Sequence, residues 1–366
     1  MKILHLIQKP QNRGAETFAC QLANHQLTQG HEVKLVSIFS GEAELPWKGE
    51  ISSLRASVKN RFLDFPAWKR LNRIVREFQP DVIQTNAGDT LKYAVFSKLI
   101  FRWNVPVVFR NASEVGRYLN SKFQKQFNRF LYKHVDWVIS VSQASKKDLV
   151  NHFPFLQSRS QVIPIGLEEK SYIKAIDLRS KGNHHVVHVG GFSFEKNHEG
   201  LINIFQKVLS TVSGAHLHLV GDGPLRSKIE DLVRAMNLEN RVTFYGFVNN
   251  PLDFIKSADV LVLPSIIEGL PGVLLEAMYC KTPLVAYDVG GISEIVSERT
   301  GSLVEKDDED SFSQRIEENL LNPDLARIES AYAQVCSHYM NKEISRKFSE
   351  AYQRIVSKQR LIRQSS

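Results

Sequence analysis

Short apolar runs alternate with stretches of helical periodicity along the whole chain. Strands are predicted at 3–7, 33–37, 82–85, 105–109 and 137–141, with intervening segments long enough for helices. The runs show no polar alternation, as expected of strands covered on both faces, so they predict βαβ units around a parallel sheet. This series closes around Val162, Ile163, Pro164, Ile165 and Gly166, and a polar stretch over 168–185 precedes a second series at 186–189, 217–220, 242–245, 260–263 and 284–287. The predicted fold is therefore α/β, with a first domain over 1–168 and a second over 169–344. Beyond Asn341, the residues Ile344, Phe348, Ala351, Tyr352, Ile355 and Val356 recur on one helical face. A helix over about 345–366 is expected to pack back across the junction. Two doubly wound domains of this kind are expected to face each other across a cleft lined by the carboxyl ends of their strands, where open α/β sheets bind ligands.

Composition narrows the class. A chain of 366 residues exceeds the usual size of one core, which agrees with two domains. With 43% hydrophobic and 23% charged residues and no long low-complexity tract, disorder and fibrous classes are excluded. No stretch approaches the roughly 18–20 apolar residues of a spanning helix, and the first apolar run is too short for a signal peptide. Cys20, Cys280 and Cys336 are three in number without paired spacing, which argues against a disulfide framework or a zinc site. A cytosolic location, at the inner face of the membrane if any membrane is touched, is the expectation.

Charge is uneven. Residues 1–168 carry 24 Lys and Arg against 13 Asp and Glu, a net of +11, while 169–366 carry 23 against 26. The basic half suits an anionic partner, and with no nucleic-acid-binding motif beside the charge, nucleic acid is disfavoured. Arg117, Lys122, Lys125, Arg129 and Lys133 interleave with Phe123, Phe127, Phe130 and Leu131. That pattern fits peripheral contact with an anionic membrane or an aromatic stripe facing the core with solvated lysines opposite.

The sharpest chemical signal is Glu268 and Glu276, the first in a strand-to-helix loop and the second about a turn into a mostly apolar helix. A carboxylate in such a helix is costly unless something satisfies it, and sugar hydroxyls are well matched donors for a pair of carboxylate acceptors. Gly190 and Gly191 follow another strand and lead to Lys196 and to Asn197, a predicted helix N-cap. Gly290 and Gly291 open a further predicted helix and read either as a phosphate-receiving turn or as a bare one. Gly221, Asp222, Gly223 and Pro224 read as scaffold, with Pro224 in a first helical turn. The acidic string Asp307 to Asp310 is read as a solvated loop and not as a metal site. There is no G-x-G-x-x-G after the first strand, which lowers the odds of a dinucleotide-dependent oxidoreductase.

The run 265–286, with its paired glutamates and Thr282-Pro283-Leu284-Val285-Ala286, resembles the signature of retaining glycosyltransferases of GT-B fold, family 4 type. The resemblance extends over nearly the whole chain, through 220–224, 242–248, 289–291 and the tyrosine-containing last helix. It implies that Glu268 lies against the sugar of a nucleotide-diphosphate donor, UDP foremost, and that Glu276 holds the ribose. It implies donor contacts at Gly14, Gly190, Gly191, Phe247, Val248, Gly269, Leu270 and Pro271. Lys196 matches the lysine that neutralises the leaving diphosphate, whereas Gly191 stands where an arginine is usual. Arg13 or Arg110 is a candidate for the missing cation. Asn86 and Arg110 stand where many relatives carry a histidine, so no general base is identified. The resemblance implies a metal-independent reaction without a cofactor and a glycan or lipid-linked acceptor in cell-surface polysaccharide synthesis. A nucleotide-sugar epimerase and a noncatalytic nucleotide-sugar binding protein are the alternatives.

Overall fold

The computed structural model describes residues 1–60, 63–178 and 180–364. The chain divides into two units, Met1–Glu168 together with Asn341–Ser366, and Glu169–Met340. Each is an α/β unit built on one parallel sheet.

The first unit contains β1 (Lys2–Ile7), α1 (Gly14–Thr28), β2 (Glu32–Ser37), β3 (Ile51–Ser53), α2 (Phe65–Phe78), β4 (Val82–Thr85), α3 (Gly88–Phe101), β5 (Val107–Asn111), α4 (Lys122–Lys133), β6 (Trp137–Ser140), α5 (Gln143–His152) and β7 (Ser160–Val162). The sheet order is β3-β2-β1-β4-β5-β6-β7, so successive strands are laid to one side of β1 and then, from β4 on, to the other. Loops leaving β1 and β4 diverge at that reversal, the usual place for a ligand crevice.

Alternate residues of each strand serve opposite faces. Leu4, Leu6, Ile83, Val107 and Phe109 pack with Trp68, Leu71 and Val75 of α2 and Leu91 of α3. Ile3, Val82, Val108 and Ile139 face the other way, toward Phe18 and Leu22 of α1. The same face is covered by the last helix, α12 (Asn341–Gln364), whose Ile344, Phe348, Ala351, Tyr352, Ile355 and Val356 are all buried there. The helical stripe read from the tail is therefore the stripe that packs. The helix begins earlier than expected because Asn341 is tied down: its N–H donates to the Leu167 carbonyl at 2.9 Å and its Nδ2 to Glu168 Oε1 at 2.7 Å. Residues 365 and 366 of the expected helix lie outside the described residues.

The second unit contains β8 (His184–Val189), α6 (His198–Thr211), β9 (Ala215–Val220), α7 (Arg226–Ala235), β10 (Val242–Gly246), α8 (Pro251–Ser257), β11 (Val260–Leu263), α9 (Gly272–Cys280), β12 (Leu284–Tyr287), β13 (Ser302–Val304), α10 (Glu309–Leu321) and α11 (Leu325–His338). Its order, β10-β9-β8-β11-β12-β13, reverses between β8 and β11. The two sheets together give the doubly wound α/β architecture expected of the GT-B fold.

Differences from the sequence reading are local. β5 spans Val107–Asn111 where 105–109 was expected: Pro106 has no N–H to give a ladder, while Arg110 and Asn111 pair with Ile139 and Ser140. β3, β7 and β13 are three-residue edge strands that lack the apolar run by which strands are recognised. Pro224 lies before α7, which starts at Arg226. The acidic string is absorbed structurally: Asp308 caps α10 by accepting from Ser311 N at 2.9 Å, and Glu309 and Asp310 pair with Lys207 at 3.2 and 2.8 Å.

Phe348 is fully buried between Phe18, with ring centroids 5.9 Å apart, and Tyr352. Replacing it with alanine removes a ring from a packed seam. Phe348→Ala is expected to destabilise the first unit by about 3–5 kcal/mol, read as a fall in its denaturant midpoint. An unchanged midpoint would mean that α12 does not hold the unit together.

Candidate functional site

The loops leaving β8 and β11 flank the reversal in the second sheet, and they are cross-linked. After β8 the chain passes through Gly190 and Gly191 into a short 3-10 turn, Phe194–Lys196, and then Asn197, whose positive φ of 52° ends the turn. Asn197 caps α6 by accepting from Gly200 N at 3.2 Å, as its sequence position predicted. Its amide Nδ2 donates to the Pro264 carbonyl just past β11 at 3.2 Å, and Ile266 N donates to the Glu195 carbonyl at 2.8 Å. These bonds fix Lys196 opposite Glu268, with Nζ 2.6 Å from Oε1. The side chains are 23% and 11% exposed, so the pair is shielded from bulk water but open on one side.

Gly290 joins this rim. At φ 59°, the place its Cβ would occupy is 1.9 Å from the Glu268 carbonyl oxygen, and Gly291 N donates to the Gly269 carbonyl at 3.0 Å. The double glycine thus supports the Glu268 loop from below, and the Gly291 N–H is already used. Beyond Gly291 the chain makes a three-residue 3-10 turn, Ile292–Glu294, and not the helix whose N-terminus was expected to receive a phosphate.

The same close backbone packing runs the other way across the sheet. Gly190 N donates to Val220 O at 2.9 Å, and a Cβ on Gly221 would lie 2.0 Å from the Gly190 carbonyl oxygen. Gly221 N in turn donates to Gly246 O at 2.9 Å, which holds the exposed Phe247 and partly exposed Val248 at this edge. Gly191 is different: a Cβ there would meet only Asp222 O, at an ordinary 3.5 Å, so the backbone does not require glycine where the resemblance expects arginine.

Gly269, Leu270 and Pro271 are buried and lead into α9, with Pro271 at the helix N-cap. Glu276 is the fifth residue of that helix. Among the described residues its carboxylate has no hydrogen-bond or ion-pair partner. Burial pushes its pKa from 4.5 up to about 7, an effect the charge of Lys170 only partly offsets. Sequence reasoning missed Lys170, which sits in the polar stretch read as a linker.

Candidates in the first unit fare differently. Arg13 is exposed just before α1, and nothing lies within 4 Å of the position a Cβ on Gly14 would take. Asn86 is turned inward: its Nδ2 donates to Leu6 O at 3.0 Å and its Oδ1 accepts from Gln84 at 3.0 Å. Arg110 was expected in a loop after a strand, yet it lies within β5, buried, its guanidinium 4.5 Å from the centre of the Phe18 ring. Burial lowers its pKa to about 10, with the nearby Glu16 carboxylate acting in the opposite direction. It does not project as the reaching cation the sequence suggested. Among the described residues no group of three His, Cys, Asp or Glu is arranged to hold a metal ion.

A parallel-sheet α/β unit with a Lys–Glu pair at its strand reversal and an unpartnered glutamate one helix on, following another such unit, has the form of a GT-B enzyme. Residues 12–170 match the model for Glycosyltransferase Family 4 and residues 170–335 that for Glycosyl transferases group 1, and the chain belongs to this family of glycosyltransferases. It is 27% identical over 70% of its length to an uncharacterized glycosyltransferase of Methanocaldococcus jannaschii, of which the match covers 69%. It is also 27% identical over 57% of its length to N-acetylgalactosamine-N,N'-diacetylbacillosaminyl-diphospho-undecaprenol 4-alpha-N-acetylgalactosaminyltransferase of Campylobacter jejuni, of which 58% is covered. In fold it resembles Anabaena HepE, solved in complex with UDP-glucose, with a TM-score of 0.81 at 21% identity over 96% of this chain and 99% of that one.

The raised pKa of Glu276 makes its ionised form a liability in the folded protein. A carboxyl whose pKa is higher folded than unfolded contributes stability below the unfolded value of 4.5 and loses it as pH rises through about 7. Glu276→Gln is therefore expected to stabilise the unliganded second unit at pH 8 by about 1–3 kcal/mol and to leave it little changed near pH 4.5. Thermal melts at the two pH values check this, and a variant no more stable than wild type at pH 8 would contradict it.

Proposed function

We propose that the protein transfers a sugar, with retention of anomeric configuration and without a metal, from a nucleoside-diphosphate donor, UDP-linked, to a glycan or lipid-linked acceptor in cell-surface polysaccharide synthesis. The observation that carries the reading is the Lys196–Glu268 pair at 2.6 Å, with the unpartnered Glu276 in the helix that follows the Glu268 loop. The second unit takes the donor and the first takes the acceptor. Glu276, short of donors, accepts from the two ribose hydroxyls. Lys196 neutralises the departing diphosphate, and Glu268 accepts from hydroxyls of the transferred sugar. With no general base at Asn86 or Arg110, the departing phosphate oxygen takes the acceptor's proton on the same face of the sugar. The UDP-glucose bound to Anabaena HepE and the diphospho-undecaprenol acceptor named for the Campylobacter enzyme are in keeping with these choices.

A thermal-shift panel of UDP, GDP, ADP and NAD tests the donor. A ligand at about 100 times its dissociation constant stabilises by roughly 2.7 kcal/mol. UDP is expected to shift the wild type and not Glu276→Ala, and Lys196→Met is expected to lower kcat by about 10²–10³-fold. A shift by NAD alone, or an inverted product anomer by NMR, would overturn the reading.

A lipid-linked acceptor also favours the membrane reading of α4. Phe127 and Phe130 of that helix pack on Phe96 of α3, as a core-facing stripe would, and Leu131 and Tyr132 are buried, but Phe123 is 81% exposed and Lys122, Lys125, Arg129 and Lys133 are all exposed. No helix among the described residues is long and apolar enough to cross a membrane, so the contact is peripheral. Each basic residue near an anionic surface contributes about 1 kcal/mol. Neutralising Lys122, Lys125 and Arg129 together is expected to weaken binding to phosphatidylglycerol vesicles by at least about tenfold. Equal sedimentation of variant and wild type with those vesicles would remove this part of the proposal.

A further inference from the structure

Beneath the Lys196–Glu268 pair lies a histidine that reads, in the sequence, as part of a strand and nothing more. His188, fully buried near the end of β8, has its Nδ1 2.9 Å from the carbonyl oxygen of Val262 in β11. A carbonyl only accepts, so Nδ1 carries the proton and Nε2 is left with a bare lone pair. That Nε2 is buried and has no hydrogen-bond partner. A Cβ on Gly190 would stand 3.0 Å from it and 3.5 Å from both Cδ and Cε of Lys196. A gap of one missing methyl group therefore separates the imidazole from the lysine stem. His198 does not supply a partner. It stacks on Phe192 at 4.0 Å between ring centroids and stands edge-on to His188 at 4.7 Å, and both of its own nitrogens are unpartnered.

An unpartnered buried acceptor costs free energy, and the protein keeps one beside the cation of its site. The Lys196 ammonium is committed to Glu268. A donor places demands on both members of that pair, because the diphosphate attracts the ammonium and the sugar hydroxyls need the carboxylate.

We propose that Lys196 is a two-position cation and that His188 is the positioning residue for its second position. On donor binding the ammonium leaves Glu268 and donates one N–H to His188 Nε2 while it faces the diphosphate. Glu268 is released to the sugar by the same movement. Burial foremost, helped by the Lys196 charge and opposed by the Val262 hydrogen bond, holds the His188 pKa down to about 4, which keeps the imidazole an acceptor at neutral pH. The inference rests on the donor reading of this site and adds to it a residue that touches no substrate.

A double-mutant cycle on nucleotide binding tests the idea, with whichever of UDP, GDP and ADP binds the wild type most tightly as the probe in calorimetry. His188→Phe keeps a ring and removes the acceptor, and His188→Gln keeps an acceptor in nearly the same place. His188→Phe is expected to weaken the nucleotide by about tenfold and His188→Gln to recover most of that loss. In a Lys196→Met background the two substitutions are expected to make no difference, because the group they position is gone. A purely structural role for His188 would persist in that background and would overturn the proposal. So would full affinity in His188→Phe. A second measurement needs no folded His188 variant: the Nε2 resonance of His188 in ¹⁵N-histidine-labelled protein is expected to move on adding the nucleotide to wild type and to stay put in Lys196→Met. A stationary resonance in wild type that demonstrably binds the nucleotide would also refute it. If none of the three nucleotides binds wild type, the donor reading fails first and this inference with it.

Discussion

The second unit depends on how closely its loops approach one another at the carboxyl edge of the sheet. A carbonyl of one loop lies where the neighbouring loop's Cβ would be, at Gly190 against Gly221 and at Glu268 against Gly290. Contacts of that kind leave no room for side chains, so the loops have little freedom to separate, and what they carry is placed by backbone. Lys196 and Glu268 meet because Asn197 and Glu195 are bonded to the segment just past β11. The pair is an outcome of strand order, since β8 and β11 are neighbours only because the sheet reverses between them.

Much of this was legible in the sequence. Buried parallel strands announce themselves as uninterrupted apolar runs, and β11 and β12 fall where those runs lie. The α12 stripe was equally plain, because six apolar positions at helical spacing have few other uses. The features that escaped have no local pattern. Edge strands of three residues are defined by the neighbour they pair with. Arg110 lies inside the sheet's register, paired with Ile139 and set over Phe18 of α1, and Asn86 is bonded to Leu6 and Gln84, so neither is at a free surface. His188 was missed because a histidine within a strand reads as core until one sees that its outer nitrogen has no partner.

At Gly290 and Gly291 the expected helix is a three-residue 3-10 turn. Two glycines before an apolar segment invite a phosphate, and the resemblance to the family encouraged that expectation. The structure shows both glycines packed closely on the Glu268 loop. Glycine signals close approach by something, and only the fold says whether it is a ligand or the protein's own backbone. At Glu276 the sequence argument was sounder: a carboxylate in an apolar helix without a partner is an imbalance, and the structure leaves it unresolved by protein atoms.

The first unit is made from the two ends of the chain, with residues 169–340 inserted as a separate body between them. Ile3, Val82, Val108 and Ile139 are covered partly by Phe18 and Leu22 of α1, and the rest of their cover begins only at Asn341. During synthesis the order of completion is therefore reversed relative to the order of translation. The second unit has all its strands while part of the first unit's sheet face still lacks its cover, so the first unit is expected to stay open to nonspecific apolar contact until α12 emerges.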